Sequence, residues 1–320
     1  MSSASADRLR RRTHHHTDFP LERLVTGREH TVSVVLPARN EAATIGGIVD
    51  VMTQLRDGGL VDQVLVVDDS TDDTARIAAE RGADVHRQAD LRPEVGPLAG
   101  KGDAMWRALE VATGDVVAYF DADSLDLGEH FVRGVLGPLL CDPEVRFVKA
   151  TYRRPLRVGD AELAAGGGRV TELMARPLLS RFFPELAWFG QPLAGELAAR
   201  RELLERIPFA CGYRVEVAML IDVLRVAGLD AMAQVDLDVR RNQHQPLEAL
   251  GPMANAVLDA VLARAAETPV PAPRERVVTR EGVLVAEPPE ALERPPFAAA
   301  AEPPCERPVT TRASVSIAGR

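Results

Sequence analysis

Ala118-Tyr119-Phe120-Asp121-Ala122-Asp123-Ser124 decides how the chain is read. An apolar run from Val116 to Phe120 stops at two aspartates one residue apart. β-Branched and aromatic residues suit a buried strand and aspartate does not, so the change of chemistry marks a strand end. Two carboxylates at i and i+2 just past that end place hard oxygens near one point. Such a pair suits a divalent cation, and through it a phosphate-bearing ligand.

The same pattern recurs upstream. Thr31 to Pro37 reads as a buried strand, Ala38-Arg39-Asn40-Glu41 as a loop, and Thr44 as the cap of a helix reaching about Gln54. Leu60 to Val67 contains a second strand, which ends at Asp68-Asp69. Ser70 to Thr74 then opens a helix through Glu80, with acidic residues where the helix dipole favours them. Ala83 to His86 is a short third strand, Gln88 to Gly100 a loop, and Lys101 to Thr113 has helical period. Strands alternating with helices predict a wound, mostly parallel α/β sheet, and such sheets gather ligands at the carboxyl ends of their strands. Pro37–Glu41, Asp68-Asp69 and Asp121–Asp123 all fall at those ends. Further on, Arg146 to Tyr152 and Met232 to Val239 read as strands. Helices are expected over Glu196–Arg206, Val215–Ala227 and Leu247–Glu267.

Composition narrows the function classes. The net charge is −9 and no basic block extends beyond a short N-terminal arginine run, which argues against a nucleic-acid partner. No stretch reaches the roughly 18 uninterrupted apolar residues of a membrane span, and the polar N-terminus lacks a secretory core. Cys141, Cys211 and Cys305 are odd in number and far apart, so neither a disulfide framework nor a zinc site is expected. A soluble protein of the reducing cytoplasm is the expectation. Arginine supplies nearly all the positive charge, and Lys101 and Lys149 are the only lysines.

Each motif has a plainer reading beside the functional one. Asp121-Ala122-Asp123 could be a solvated turn, and Asp68-Asp69 a helix cap. With both at strand ends, a metal–diphosphate site of a nucleotide-sugar transferase is the stronger reading. Lys101, after Gly100 at a helix start, reads as an anion contact rather than a surface lysine. Gly166-Gly167-Gly168-Arg169-Val170-Thr171 could be a linker. It reads better as a second anion cradle, with backbone N–H groups, a guanidinium and a hydroxyl leading into a helix. His14, His15 and His16 read as a tail or packing contact in preference to a metal site, and His244 as a ligand, an anion contact or a loop residue.

With these pieces placed, the chain resembles the actinobacterial glucosyl-3-phosphoglycerate synthases. The resemblance rests on Pro37–Glu41, Val67–Asp69, Gly100–Gly102, Asp121–Asp123, Gly166–Glu172, Gln191–Glu196 and Gly212–Glu216, in that order, and runs from about Thr31 to Glu267. It implies a GT-A glycosyltransferase fold: a Rossmann-like, mostly parallel sheet flanked by helices, with a C-terminal acceptor-binding part. It also implies a homodimer, a divalent metal (Mg2+ or Mn2+), and transfer with retention of configuration. UDP-glucose would be the donor and D-3-phosphoglycerate the acceptor, giving a precursor of glucosylglycerate.

By the family pattern Pro37, Ala38, Arg39, Asn40, Glu41, Asp69 and Lys101 would hold the uridine and diphosphate. Asp121 and Ala122 would join them, with Tyr213, Glu216 and Arg240 toward the sugar end of the donor. Asp123 and Asn242 would hold the metal. Gly168, Arg169, Val170, Thr171 and His244 would bind the acceptor, and Asp123, Leu193 and Glu216 would serve the chemistry, with Glu196 near the glucose. The chain would then divide into a polar, partly disordered extension (1–30), a nucleotide-sugar half (31–145), an acceptor half of the same domain (146–268) and a Pro/Ala-rich, extended or disordered tail (269–320).

Three departures stand out. Asn242 replaces a customary histidine, Asp69-Ser70 lacks a glycine between them, and Arg214 stands where glycine is common. Asparagine offers a neutral oxygen, a weaker ligand for manganese than imidazole but acceptable for magnesium. His244 could take the metal instead. The rivals are a mannosyl-3-phosphoglycerate synthase-like enzyme using GDP-mannose and a non-catalytic relative that only binds the sugar nucleotide.

Overall fold

Eight strands form the central sheet: β1 (Thr13–His15), β2 (Val32–Ala38), β3 (Gln63–Asp68), β4 (Asp84–Arg87), β5 (Val116–Tyr119), β6 (Phe147–Arg153), β7 (Leu197–Arg200) and β8 (Met232–Val239). Their order is β1-β8-β6-β7-β5-β2-β3-β4. The computed structural model describes residues 2–97, 99–158, 161–163, 167–241, 245–266, 276–280, 283–287 and 293–300. Every pairing in this sheet is parallel except the two that β7 makes, with β5 and β6.

The strands are apolar on both faces because helices cover both. One layer holds Trp106, Tyr119, Phe147, Leu197 and the inner face of Val215–Ala227. The other holds Val34, Val66, Phe120, Val148 and the inner faces of Ile45–Asp57 and Glu129–Cys141. Each buried Val, Leu or Phe contributes roughly 1.5–3 kcal/mol, so two such layers suffice to hold the sheet. Parallel register brings Ala38 beside Asp68, and the Phe120 amide donates to Val35 O at 3.1 Å. The ends of β2, β3 and β5 therefore share one edge of the sheet.

Four expectations are corrected. Glu196–Arg206 is not a helix: β7 is followed by a single turn, Arg201–Leu204. Leu-Ala-Ala-Arg has good helix propensity, but pairing with strands on both sides wins. The small alanines let Leu197 and Ala199 enter one core layer and Ala198 the other. Thr44 precedes the helix Ile45–Asp57 without capping it, since its hydroxyl donates to Ala122 O at 2.7 Å and ties the helix start to the DxD turn.

The N-terminal extension is ordered. Ser2–Arg11 is a helix with Leu9 buried, and β1 lies parallel to β8. His15 Nε2 and His16 Nε2 lie 3.2 and 2.8 Å from the two Asp238 oxygens. Arg133 faces His16 Nδ1 at 3.1 Å, which makes that nitrogen the acceptor and leaves the proton on Nε2. These hydrogen bonds account for the three residues that could otherwise hold an ion here. The histidines are thus a packing contact.

Parts of the expected disordered tail are also built into the fold. Arg276–Arg280 pairs antiparallel with Val283–Glu287, and Glu293–Arg294 with Phe209–Ala210. The Arg294 guanidinium donates to Asp103 and to the carbonyls of Val95 and Pro97 at 2.6 and 2.7 Å. Trp106 Nε1 donates to Pro295 O at 2.8 Å, and Phe297 packs edge-on to the Trp106 ring. The segment straps the helix Gly100–Ala108 from outside.

Candidate active site

The site occupies the carboxyl edge formed by β2, β3 and β5. After β2, Asn40 takes a left-handed conformation (φ 61°). That turn lets its amide donate to Ser70 Oγ at 2.8 Å, while its side-chain oxygen accepts from the Thr71 amide at 2.9 Å. The Glu41 amide donates to Thr74 Oγ1 at 2.8 Å. The loops after β2 and β3 are thus laced together. Arg39 and Asp69 face each other at 3.7 Å on the exposed side. Neither Asp68 nor Asp69 caps the next helix. The N-cap position is Asp73, which makes no side-chain cap; Asp72 before it accepts from the Thr74 amide at 3.0 Å, and Asp68 accepts from the Ser70 amide at 3.3 Å.

Charges of both signs alternate at the centre. Asp121 is bound on one oxygen by Lys101 Nζ and on the other by Arg240, at 3.2 Å. Lys101 also donates to Glu216 Oε1 at 2.7 Å. Arg240 reaches Asp123 at 3.4 Å, the Tyr152 hydroxyl at 3.2 Å, and Glu196. Glu196 accepts from the Tyr152 hydroxyl at 2.9 Å. It is fully buried, so it anchors Arg240 from beneath and does not line the opening, contrary to its expected place near the sugar. Gly195 is required here, because a Cβ would lie 2.2 Å from both Asp121 oxygens.

This arrangement separates the two aspartates electrostatically. Burial alone would push Asp121 up, but Lys101 and Arg240 hold it well below the ordinary carboxylate range. Asp123 is pushed up by burial and by the Asp121 charge. Burial, then the Asp123 charge, also raises Glu41. Burial alone would pull the half-buried Lys101 down, yet Asp121 and Glu216 outweigh that cost and keep it protonated. Asp121 is therefore a fixed anion inside the ion-pair network. Asp123 is the carboxylate left facing outward, with its side chain 57% exposed.

The other expected residues lie around this centre. Pro37 and Ala38 end β2, and Ala122 is buried between the aspartates. Leu193 is half-buried against the core, and Tyr213 stands 55% exposed at the turn before Glu216. Gly168 has φ 74°, and Arg169 donates to Gln245 O. Val170 packs on the core, and Thr171 is buried under the glycine loop rather than on its surface. A Cβ at Gly168 would come 3.8 Å from the Gln191 oxygen, and Gln191 donates to Tyr152 O at 3.2 Å. The glycine loop thus lies beside Gln191, which is tied to the backbone of β6. Gly166, Asn242 and His244 lie outside the described residues.

The long-range partnership of Arg240 with Glu196 and Tyr152 carried no local signal. Lys149 did: it is a lysine inside an apolar strand, in a chain with one other.

Known proteins resemble the chain in both sequence and structure. The model of glycosyl transferase family 2 matches residues 33–153. A glucosyl-3-phosphoglycerate synthase of Mycolicibacterium smegmatis is 49% identical over 245 residues, which cover 76% of this chain and 80% of the relative. The crystal structure of mannosyl-3-phosphoglycerate synthase from Rubrobacter xylanophilus superposes with TM-score 0.83 at 45% identity, covering 93% of this chain and 98% of that one. The structure of glucosyl-3-phosphoglycerate synthase from Mycobacterium tuberculosis in complex with Mn2+, UDP-glucose and phosphoglyceric acid superposes with TM-score 0.81 at 40% identity, covering 90% and 98%.

Proposed function

The chain belongs to the glucosyl-3-phosphoglycerate synthase family, with its GT-A fold, and from that premise we propose that it is a metal-dependent retaining glucosyltransferase. It moves glucose from UDP-glucose to the 2-hydroxyl of D-3-phosphoglycerate. The observation that carries this reading is the Asp121/Asp123 pair at the end of β5, tied to Lys101, Glu216 and Arg240.

The residues fit a divalent ion. Asp123 offers hard oxygens on the open side, and its one ion pair among the described residues is a long contact with Arg240. Asn242, outside the described residues, would add a neutral oxygen, and such oxygen donors suit Mg2+ or Mn2+. When bound, the ion neutralises charge gathering on the departing diphosphate. Lys101, in the first turn of Gly100–Ala108, is the protein's own cation for that diphosphate, and the helix N-terminus adds to its field. Arg169 and the glycine loop orient the acceptor's phosphate and carboxylate. Its 2-hydroxyl then meets the anomeric carbon on the face the diphosphate leaves, and the departing phosphate oxygen takes the hydroxyl proton. Positioning and electrostatics supply most of the rate. Glu216 is not required as a nucleophile, and trapping a glucosyl adduct on it would overturn this preference.

A Cβ at Gly195 would displace the Asp121 carboxylate. Gly195→Ala is expected to lower kcat by about a hundredfold or more, the scale of an ångström-sized misplacement. Its melting temperature should fall as well, because Lys101 and Arg240 lose part of their shared anion, and steady-state rates with a thermal melt check both.

One observation favours a second reading, transfer of mannose from GDP-mannose: the Rubrobacter xylanophilus structure, at 45% identity, is a mannosyl-3-phosphoglycerate synthase. The Asp69-Ser70 turn, one residue shorter than in many relatives, lies on the base-binding side and points the same way. Proton NMR of the product decides the chemistry: the proposal predicts an α-linked glucosyl unit on the 2-oxygen of 3-phosphoglycerate.

Homodimer formation is part of the proposal, since Leu173, Phe182, Trp188 and Leu247 are large exposed apolar side chains. So is a cytoplasmic setting, in keeping with Cys141 and Cys211 as free thiols. No described helix is long and apolar enough to cross a membrane.

A further inference from the structure

Lys149 lies in β6, with Leu197 and Gln234 as its register partners on the neighbouring strands. Alternation along the strand turns it to the same face as Phe147, into the apolar layer that also holds the inner face of Val215–Ala227. The residue is fully buried, and its Nζ has no hydrogen-bond partner among the described residues. A buried polar group of this kind is costly, and a methionine of similar shape would fill the space without that cost. Packing therefore does not account for the lysine.

The charges acting on it belong to the site. Burial pulls its pKa down to about 8, against the attraction of Glu216, Glu196 and Asp121 and with the repulsion of Lys101. Glu216 exerts the largest of those attractions, and in this structure Glu216 is already paired with Lys101 at 2.7 Å. Lys101 serves two carboxylates at once, Glu216 and Asp121. An ammonium has three N–H donors, so one is left for a diphosphate, and a shift toward that strong anion weakens its hold on Glu216. Arg240 cannot replace it, because that guanidinium is committed to Asp121, Asp123 and Glu196.

We propose that Lys149 is a positioning residue, the reserve cation of Glu216, which takes over that carboxylate when Lys101 turns to the donor diphosphate. Glu216 then stays paired and fixed beside the reacting sugar, and Lys101 is released without stranding a buried negative charge. The proposal rests on the glucosyltransferase reading above. That reading fails on its own if the wild-type chain makes no product, and the comparison below then has no starting rate to be read against.

The test uses the full-length chain with UDP-glucose, 3-phosphoglycerate and Mg2+. Lys149→Met should lower kcat by about tenfold or more, while KM for both substrates and the calorimetric affinity for UDP stay within about threefold. The melting temperature should be equal or higher, which a structural lysine would not allow. In a Glu216→Gln background, followed by single-turnover rates, the same substitution should cost less than about twofold, because its target is gone. Lys149→Gln, which keeps polarity but not charge, should behave in the same way and serves if the methionine variant folds poorly. An unchanged kcat, equal losses in both backgrounds, or a fall in UDP affinity that matches the loss of rate would each overturn the assignment.

Discussion

Asp123→Asn should fold like the wild-type chain and turn over about a thousandfold more slowly or worse. Its side chain is 57% exposed and its only ion pair among the described residues is the 3.4 Å contact with Arg240, so removing the charge strands nothing in the interior. What the substitution removes is a hard anionic ligand at the point where the diphosphate's charge must be met. A metal contributes several kcal/mol to such a step, and each 1.36 kcal/mol is about tenfold in rate, hence the expected size. Asp121→Asn would not be as clean. That carboxylate holds Lys101 and Arg240 together, and its loss rearranges both. Rates across a metal titration distinguish the two, because excess Mg2+ should recover part of the Asp123→Asn loss and none of the Asp121→Asn loss.

The second large effect is on stability. Asp103 is fully buried and accepts from Arg107 Nε at 3.0 and 2.9 Å, from Arg294, from Gln88 at 2.7 Å and from the Ala99 amide at 3.2 Å. Asp103→Ala leaves two buried guanidiniums facing each other with no anion. Breaking a buried pair in this way costs about 3–5 kcal/mol. Urea unfolding should show that loss as a lower midpoint with little change in slope, and a thermal melt as a drop on the order of 10 °C. Activity should fall as well, because Asp103 lies two residues beyond Lys101 on the same helix turn. Replacing all three with apolar residues of similar volume (Asp103→Leu, Arg107→Met, Arg294→Met) should recover most of the stability, since the cost lies in the unpaired charges rather than in the lost contacts.

These two sites also show what was legible in the chain. β2, β3 and β5 were readable because apolar runs and the polar residues that stop them are local signals. The same runs placed Asp121, Asp123 and Lys101, whose neighbours in sequence already announce a strand end or a helix start. β7 was not readable. Leu197-Ala198-Ala199-Arg200 favours a helix locally, and only its pairing with β5 and β6 makes it a strand. The two tails were misjudged for a related reason. His15 and His16 need Asp238, and Arg294 needs Asp103, and each partner is far away in sequence. Inside the site, Glu196 looked like a sugar neighbour from its motif. The structure makes it an anchor for Arg240, a role that depends on Tyr152 and Arg240 arriving from two other strands.

Initial rates with 3-phosphoglycerate, measured for UDP-glucose, GDP-glucose and GDP-mannose against Mg2+, Mn2+ and a chelator, test the central claim most directly. The account predicts turnover with UDP-glucose in the presence of either metal, none with the chelator, and slower turnover with GDP-mannose. A preference for GDP-mannose, or transfer that persists in the chelator, would contradict it.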